Sequence, residues 1–257
     1  RKGTARCVGG GLWLSCMMCK NVGQGGANSA AACPRAGREL ATVTRVAVSK
    51  THSAAAVLEA TQAGLQHFGE NRVEEAVSKI PQVAEQADQP PVWHMIGHIQ
   101  SRKAKEVPPL FSVVHSVDTV KLAERLSREA TDSGKMLDVL LEINISGEVS
   151  KAGFAAFGWQ NDRDLQVQLW DAVAHIALMP GLNLRGLMTM APIVEEMEQT
   201  RPVFANLAGL CAALTETLGL PLPDLSMGMT DDYPVAIEEG ATLVRIGRAI
   251  FGERERL

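Results

Sequence analysis

From about residue 42 onward, short apolar runs, some continuous and some alternating with polar residues, recur between longer segments whose apolar positions repeat every three or four residues. The short runs predict strands at 44–49 (TRVAVS), 66–70 (QHFGE), 92–97 (VWHMIG), 112–117 (SVVHSV), 138–145 (DVLLEINI), 184–190 (LRGLMTM), 224–228 (DLSMG) and 242–247 (TLVRIG). Between them, HSAAAVLEATQAG, TVKLAERLSREATDSG and RPVFANLAGLCAALTETLG read as amphipathic helices. The last two close on Gly134 and Gly219, the residue type that most readily adopts the left-handed turn ending a helix. Strand and helix alternating through eight units predict a single α/β domain, a (β/α)8 TIM barrel. A doubly wound open sheet is the alternative, and the count of eight favours the barrel. No Pro/Gly/Ser-rich linker or change of composition divides residues 42–252.

The segment ahead of this pattern is different. Residues 1–29 combine basic residues, an apolar run from Leu12 to Met18 and Gly-rich sequence, loosely imitating a secretion signal, and the chain opens on Arg1 rather than Met. The expectation is a leader over 1–29, disordered or non-native, followed by the barrel domain over 30–257. In the AACPRAGREL that follows, Pro34 would interrupt a helix. Cys16 and Cys19 form a CxxC, but no second CxxC or histidine pair completes a tetrahedral metal site, and five cysteines give no disulfide framework.

Composition narrows the function. Hydrophobic residues make up 46% of the 257-residue chain and charged residues 21%, the proportions of an ordinary soluble globular protein. A net charge of -4, with basic residues scattered among 29 acids, argues against nucleic acid as a partner. No later stretch is long or apolar enough to span a membrane.

In such barrels chemistry gathers at the C-terminal strand ends and the loops that follow. Those positions carry Lys50, Glu70, Asn71, His98, Gln100, Asn144, Thr189 and Met190, then SMGMTDD and RIGRAIFG. Loops after the seventh and eighth strands commonly bind phosphate. Here they offer the hydroxyls of Ser226 and Thr230 around Gly228, and Gly247 with the Arg248 amide at a helix start. Together they predict a phosphorylated ligand. Lys50 then has two readings, a solvated charge capping its strand or a partly desolvated amine able to form a Schiff base with a carbonyl. A phosphorylated aldehyde joined to such a lysine would be pyridoxal phosphate. His94 and His115 lie inside apolar strands and read as satisfied core histidines, while His52 and His67 read as surface residues.

The motifs VAVSKTH, FGENRVEEA, WHMIGHIQSRK, HSVD, EINISGEVSKAGF, RGLMTM and LSMGMTDDYPVAIEEGATLVRIGRAIFGER, spread over residues 42–253, closely resemble those of the pyridoxal phosphate homeostasis proteins, the YggS/PROSC family. The resemblance implies a barrel of the alanine racemase N-terminal-domain type, preceded by a short helix of which AACPRAGREL looks like a degraded form, holding pyridoxal 5'-phosphate as a Schiff base on Lys50. It implies phosphate contacts from Ser226, Gly228, Thr230, Gly247 and Arg248, an Arg245 facing the pyridine nitrogen, and Asn71 and Met227 near the ring. His94, His98 and Asn144 match family motifs without an assigned role. It further implies a cytoplasmic monomer that stores the cofactor and delivers it to pyridoxal phosphate-dependent apo-enzymes, with no catalytic residue of its own.

Two enzyme readings stand beside the carrier. An amino acid racemase of this type requires, by resemblance, a tyrosine opposite the lysine from a second domain of a partner subunit. Tyr233 is the only tyrosine, and the sequence ends at Leu257 directly after the eighth unit, so no second domain is expected. A Schiff-base aldolase would need carboxylates around Lys50, for which Glu70 and Glu142 are the candidates.

Overall fold

The computed structural model describes residues 12–35 and 37–252. Eight parallel strands close into a barrel: β1 (Thr44–Val48), β2 (His67–Glu70), β3 (Val92–Met95), β4 (Val113–Val117), β5 (Leu137–Asn144), β7 (Leu182–Met188), β8 (Asp224–Ser226) and β9 (Leu243–Ile246). A two-residue strand, β6 (Phe154–Ala155), pairs with the end of β5 outside the ring and was not foreseen. The ring closes where β1 pairs with β9, Thr44 opposite Leu243 through Ala47 opposite Ile246. The open-sheet alternative is thereby excluded.

Helices cover the outside: α2 (Ala54–Gln62), α3 (Val73–Gln86), the short α4 (Val107–Leu110), α5 (Val120–Asp132), α6 (Arg163–Ala177), α7 (Arg201–Leu218), α8 (Tyr233–Glu238) and α9 (Arg248–Phe251). Side-chain caps fix several starts, with Ser53, Thr119 and Asp162 accepting from the amides of Ala56, Leu122 and Leu165. Gly219 ends α7 at φ 65°, as its sequence position predicts.

The period-two pattern of the strands separates two interiors. Ala47, Phe68, Trp93, Met95, Val114, Leu141 and Val244 face the helices in the main core. Residues of the other parity point into the barrel, where Val46, Leu140, Met188 and Leu243 form a small apolar cluster with Val113 against it. The same parity puts His94, His115, Glu142, Ser226 and Arg245 inside, all nearly inaccessible to solvent.

Three strands stop two residues earlier than the hydrophobic pattern suggests, β7 at Met188 and two others beside glycines. A Cβ on Gly97 would lie 2.2 Å from the Asn71 carbonyl oxygen, so β3 ends at Met95 to let its chain pass against the end of β2. Gly228 has φ +88°, and its Cβ would meet Ala236 Cβ at 2.6 Å, so β8 ends at Ser226 and Met227–Gly228 belong to the turn beyond it.

The expected leader is corrected in its second half. Helix α1 runs from Leu12 to Arg35, continuous across the expected boundary at residue 29 and through Pro34 in its final turn. Residues 1–11 and the side chains of Cys16, Cys19 and Pro34 lie outside the described set. The reason is a stripe that the Gly-rich composition conceals. Met18, Val22, Ser29 and Cys33 recur at four- and seven-residue spacing and are all buried. The helix lies against α8, α9 and α2 over the seam where the barrel closes. Asn21 Nδ2 donates to the Ile250 carbonyl (3.0 Å), and Arg45 Nη1 on β1 donates to the Val22 carbonyl (3.0 Å). Met18→Ala should therefore lower the unfolding free energy by about 2 kcal/mol, the cost of deleting a buried side chain, whereas a disordered leader would give no change in a denaturant melt.

Candidate functional site

Lys50 stands at the C-terminal end of β1, half-buried, between two residues that are held from below. Helix α3 supplies both grips. Lys79 Nζ, 5% exposed, donates to the Ser49 carbonyl (2.8 Å), to Glu70 Oε1 (2.7 Å) and to Glu75 Oε1 (2.6 Å). Glu75 Oε1 also accepts from the Thr51 amide (2.5 Å), and Ser49 Oγ donates to Glu70 Oε1 (2.7 Å). Thr51 sits at φ +68°, the one described non-glycine residue in the left-handed region. Such a conformation costs on the order of 1 kcal/mol or more and persists only where its surroundings enforce it. The ion cluster enforces it, so the Lys50 backbone has neighbours fixed on both sides. Burial raises the pKa of Glu70 above the ordinary value, with Lys79 and Ser49 pulling the other way.

Beneath the mouth lies a buried cation. Arg245 on β9, 5% exposed, donates through Nη1 to the Ser226 carbonyl (2.9 Å) and Ser226 Oγ (2.5 Å), and through Nη2 to the Thr189 carbonyl (2.9 Å). Burial lowers its pKa to about 10, against the opposing pull of Asp232 and Glu142. It stays charged at neutral pH. Desolvation raises Glu142 and Asp232 above their ordinary values.

The two turns read as phosphate-binding lie side by side, because β8 and β9 are neighbours and the Arg245 amide donates to the Gly228 carbonyl (3.0 Å). Arg248 Nη2 grips both oxygens of Asp231 (2.6 and 2.7 Å), tying the loop after β8 to the start of α9. Asp232 accepts from the Met229 amide (2.6 Å), closing the turn that carries Thr230. Thr230 is half-exposed, Gly228 and Met227 are buried, and Gly247 is the N-cap of α9. By helix geometry the first amides of α9 have no acceptor within the helix.

The ring order β8, β9, β1, β2 brings Ser226 to Thr230, Arg245 to Arg248, Lys50 and Asn71 onto four consecutive strand ends. Ser226 differs from expectation in one respect. Its side chain is fully buried, and its hydroxyl is engaged by Arg245 and by His115 Nδ1 (2.7 Å), so it belongs to the floor of the site rather than to an open phosphate cradle. Asn144 orders its own loop, donating to the Glu148 and Lys151 carbonyls (2.8 and 3.3 Å). His98 pairs with Asp118 (3.1 Å) at the exposed rim.

Sequence reasoning missed Lys79, whose burial depends on α3 folding back over the end of β1. It also placed His67 on the surface. His67 is half-buried, and its Nδ1 meets His94 Nε2 (2.9 Å), while His94 Nδ1 meets His115 Nε2 (2.8 Å). The core reading of His94 and His115 holds, with each histidine satisfying the next. His52 is half-buried and stacks on Phe251.

The site carries two marks of an incomplete polar network. Asn71 Oδ1 and Glu70 Oε2 are buried acceptors without a hydrogen-bond partner, both at the end of β2 beside the Lys50 strand. Native structures leave few such atoms. Asn71 also lines a cavity of about 550 Å³ with Arg72, Gly97, His98 and Lys103. The Asn71 orphan acceptor, a buried cation, glycine-bearing turns and a held lysine together suit a small anionic ligand that carries a hydrogen-bond donor. No group of residues suited to a metal ion occurs among the described residues.

A parallel barrel with these groups at its mouth is of the class that gathers its chemistry at the C-terminal strand ends. Comparison with known proteins makes the class specific. The alanine racemase N-terminal domain family matches residues 35–255. The pyridoxal phosphate homeostasis protein of Pseudomonas aeruginosa is 45% identical over 236 residues, covering 92% of this chain and 95% of that one. Its Escherichia coli (strain K12) counterpart is 39% identical over 229 residues, covering 88% and 92%. The structure of PipY from Synechococcus elongatus with pyridoxal phosphate bound superposes with a TM-score of 0.77 at 32% identity, covering 91% of this chain and 100% of that one. An alanine racemase of Clostridium difficile, 14% identical with a TM-score of 0.66, shares the fold. The chain belongs to the pyridoxal phosphate homeostasis proteins of the alanine racemase N-terminal domain family.

Two stability measurements check this site. Lys79→Met should cost about 3–5 kcal/mol in chemical denaturation, because it leaves the Glu70 carboxylate buried without its cation, with Lys79→Arg recovering part of the loss. His94 has its pKa lowered from 6.5 to about 3, by burial first and then by His67. Its contribution to stability is complete above pH 6.5 and declines as the pH falls toward 3, since the unfolded chain takes up the proton first. Melts from about pH 7 to about pH 5 should lose on the order of 1 kcal/mol per pH unit from this residue, a slope that His94→Phe removes.

Proposed function

We propose that this protein holds pyridoxal 5'-phosphate at the C-terminal mouth of its barrel, with Lys50 as covalent anchor, and serves as a carrier and buffer of the cofactor in the cytoplasm. When bound, the cofactor supplies an aldehyde that an amine can capture reversibly as a Schiff base. The observation that carries the reading is the convergence of the half-buried Lys50, the buried cation Arg245 and the paired turns after β8 and β9 on consecutive strand ends.

Each residue has a task in it. The Lys79–Glu70–Glu75 cluster fixes the backbone around Lys50, so the amine meets an incoming carbonyl without ordering its own turn. Thr230, Gly228, Gly247 and the first amides of α9 take the phosphate, with Arg248 held clear by Asp231. Asn71 Oδ1 accepts from a donor on the ligand, and Met227 packs below. Arg245, a donor with no acceptor to offer, favours an unprotonated ring nitrogen, which weakens the cofactor as an electron sink. That is a useful property in a protein that carries the cofactor rather than using it. The curated relatives are named for homeostasis rather than for a reaction, which supports the same reading. Release to pyridoxal phosphate-dependent apo-enzymes by a monomer completes the proposal.

The enzyme readings have less to stand on. Tyr233 is 3% exposed at the start of α8, packed beneath Gly228, and is not poised as an acid/base above the mouth. Glu70 is committed to Lys79 and Ser49.

Purified protein mixed with pyridoxal phosphate should develop the visible absorbance of a lysine-bound cofactor, and borohydride should fix the label on Lys50. Lys50→Ala should lose that reducible label. Protein that stays colourless with excess cofactor would overturn the reading. Incubation of loaded protein with single L-amino acids should give no D-enantiomer beyond one equivalent, and repeated turnover abolished by Lys50→Ala would replace the carrier with a racemase.

A further inference from the structure

Three histidines on successive strands form a continuous hydrogen-bonded row through the inside of the barrel. His67 is the first residue of β2, at the N-terminal face, and is half-exposed. In the parallel register His67 is opposite Val92 and His94 opposite Val113, so each histidine stands two residues further up the neighbouring strand than the one before. The row therefore climbs as it crosses β2, β3 and β4, and it ends on Ser226 at the top of β8, across the barrel.

The atoms alternate in a way that matters. His67 Nδ1 faces His94 Nε2, His94 Nδ1 faces His115 Nε2, and His115 Nδ1 faces Ser226 Oγ. A neutral imidazole has one donor and one acceptor nitrogen, so a head-to-tail row of this kind permits only two states, all three Nε2–H or all three Nδ1–H. Burial, together with the neighbouring rings and Arg245, disfavours a charge on any of them. Arg245 Nη1 already donates to Ser226 Oγ, so the Ser226 hydroxyl proton is satisfied when it points to His115 Nδ1. That selects the all-Nε2–H state at rest.

We propose that His67, His94 and His115 are a proton relay connecting the floor of the cofactor pocket, at Ser226 and Arg245, with the opposite face of the barrel. Its use rests on the cofactor reading above: Ser226 and Arg245 would be the groups at which a proton from a protonated ligand is taken up, since the fixed Arg245 guanidinium would disfavour a second positive charge beside it. Ser226 accepts that proton and passes its own to His115 Nδ1. His115 gives its Nε2 proton to His94 Nδ1, His94 gives its Nε2 proton to His67 Nδ1, and His67 releases its Nε2 proton to water. One proton enters, one leaves, and the row ends in the all-Nδ1–H state; release of the cofactor runs it backwards. The mouth, filled by the ligand, takes no part.

The test uses the ligand-free protein, so its failure is separate from failure of cofactor binding, which the absorbance experiment reads. Histidine-labelled protein examined by nitrogen NMR should show His67, His94 and His115 neutral and all as Nε2–H; mixed tautomers among the three would overturn the relay. Exchange of the His115 ring proton with solvent should slow by about tenfold or more in both His67→Phe and His67→Gln. Glutamine can keep a hydrogen bond to His94 but cannot pass a proton, so it separates relay from structural support. An exchange rate in His67→Gln equal to that of the unaltered protein, with the backbone spectrum retained, would overturn the proposal.

Discussion

The pairing of β1 with β9 is the contact on which the rest depends. Lys50 and the phosphate-suited turns are almost two hundred residues apart in sequence, and four register pairs between Thr44–Ala47 and Leu243–Ile246 place them on adjacent strand ends. A long-range parallel pairing of this kind is entropically expensive to form and gains its return only once the whole ring has closed. The protein reinforces it from outside. Helix α1 lies over that seam, held by Asn21 and Arg45 as well as by its apolar stripe, and Arg38 donates to the Ala241 carbonyl (2.7 Å) just before β9. What resembled a dispensable leader is part of what keeps the site assembled.

Inside the ring the polar and apolar layers divide the labour. The small cluster around Val46, Leu140, Met188 and Leu243 fills the barrel as packed hydrocarbon. Next to it, Arg245, Ser226 and the histidine row form a buried polar network in which the described donors and acceptors satisfy one another. Such networks are costly when half-satisfied and rigid when complete. Among the described residues the network under the mouth is complete, while Asn71 Oδ1 at the end of β2 has no partner. The floor is therefore preorganised.

Much was legible beforehand. Strand periodicity located all eight barrel strands, because a strand with one face toward helices and the other toward the barrel interior keeps apolar residues at nearly every position. Lys50, Asn71, Thr230, Gly247 and Arg248 could be read as candidate site residues because strand ends are where such barrels place chemistry. The N-terminal helix was hidden, since Gly23, Gly25 and Gly26 interrupt its composition and its buried stripe gains meaning only with α8 and α9 beside it. The end of β8 was hidden too, since apolar Met227 continues the strand pattern while Gly228 turns the chain.

The sequence alone determined the alternation of strands and helices, the side-chain parity of each strand and the residue types at each strand end, since all of these follow from local periodicity and backbone preference. It could not determine which strand ends become neighbours, that Lys79 turns inward to hold the backbone around Lys50, or that His67, His94 and His115 meet atom to atom. Those depend on the register of parallel strands closed into a ring. Register is a sum of contacts between residues far apart in the chain, and only the tertiary structure carries that sum.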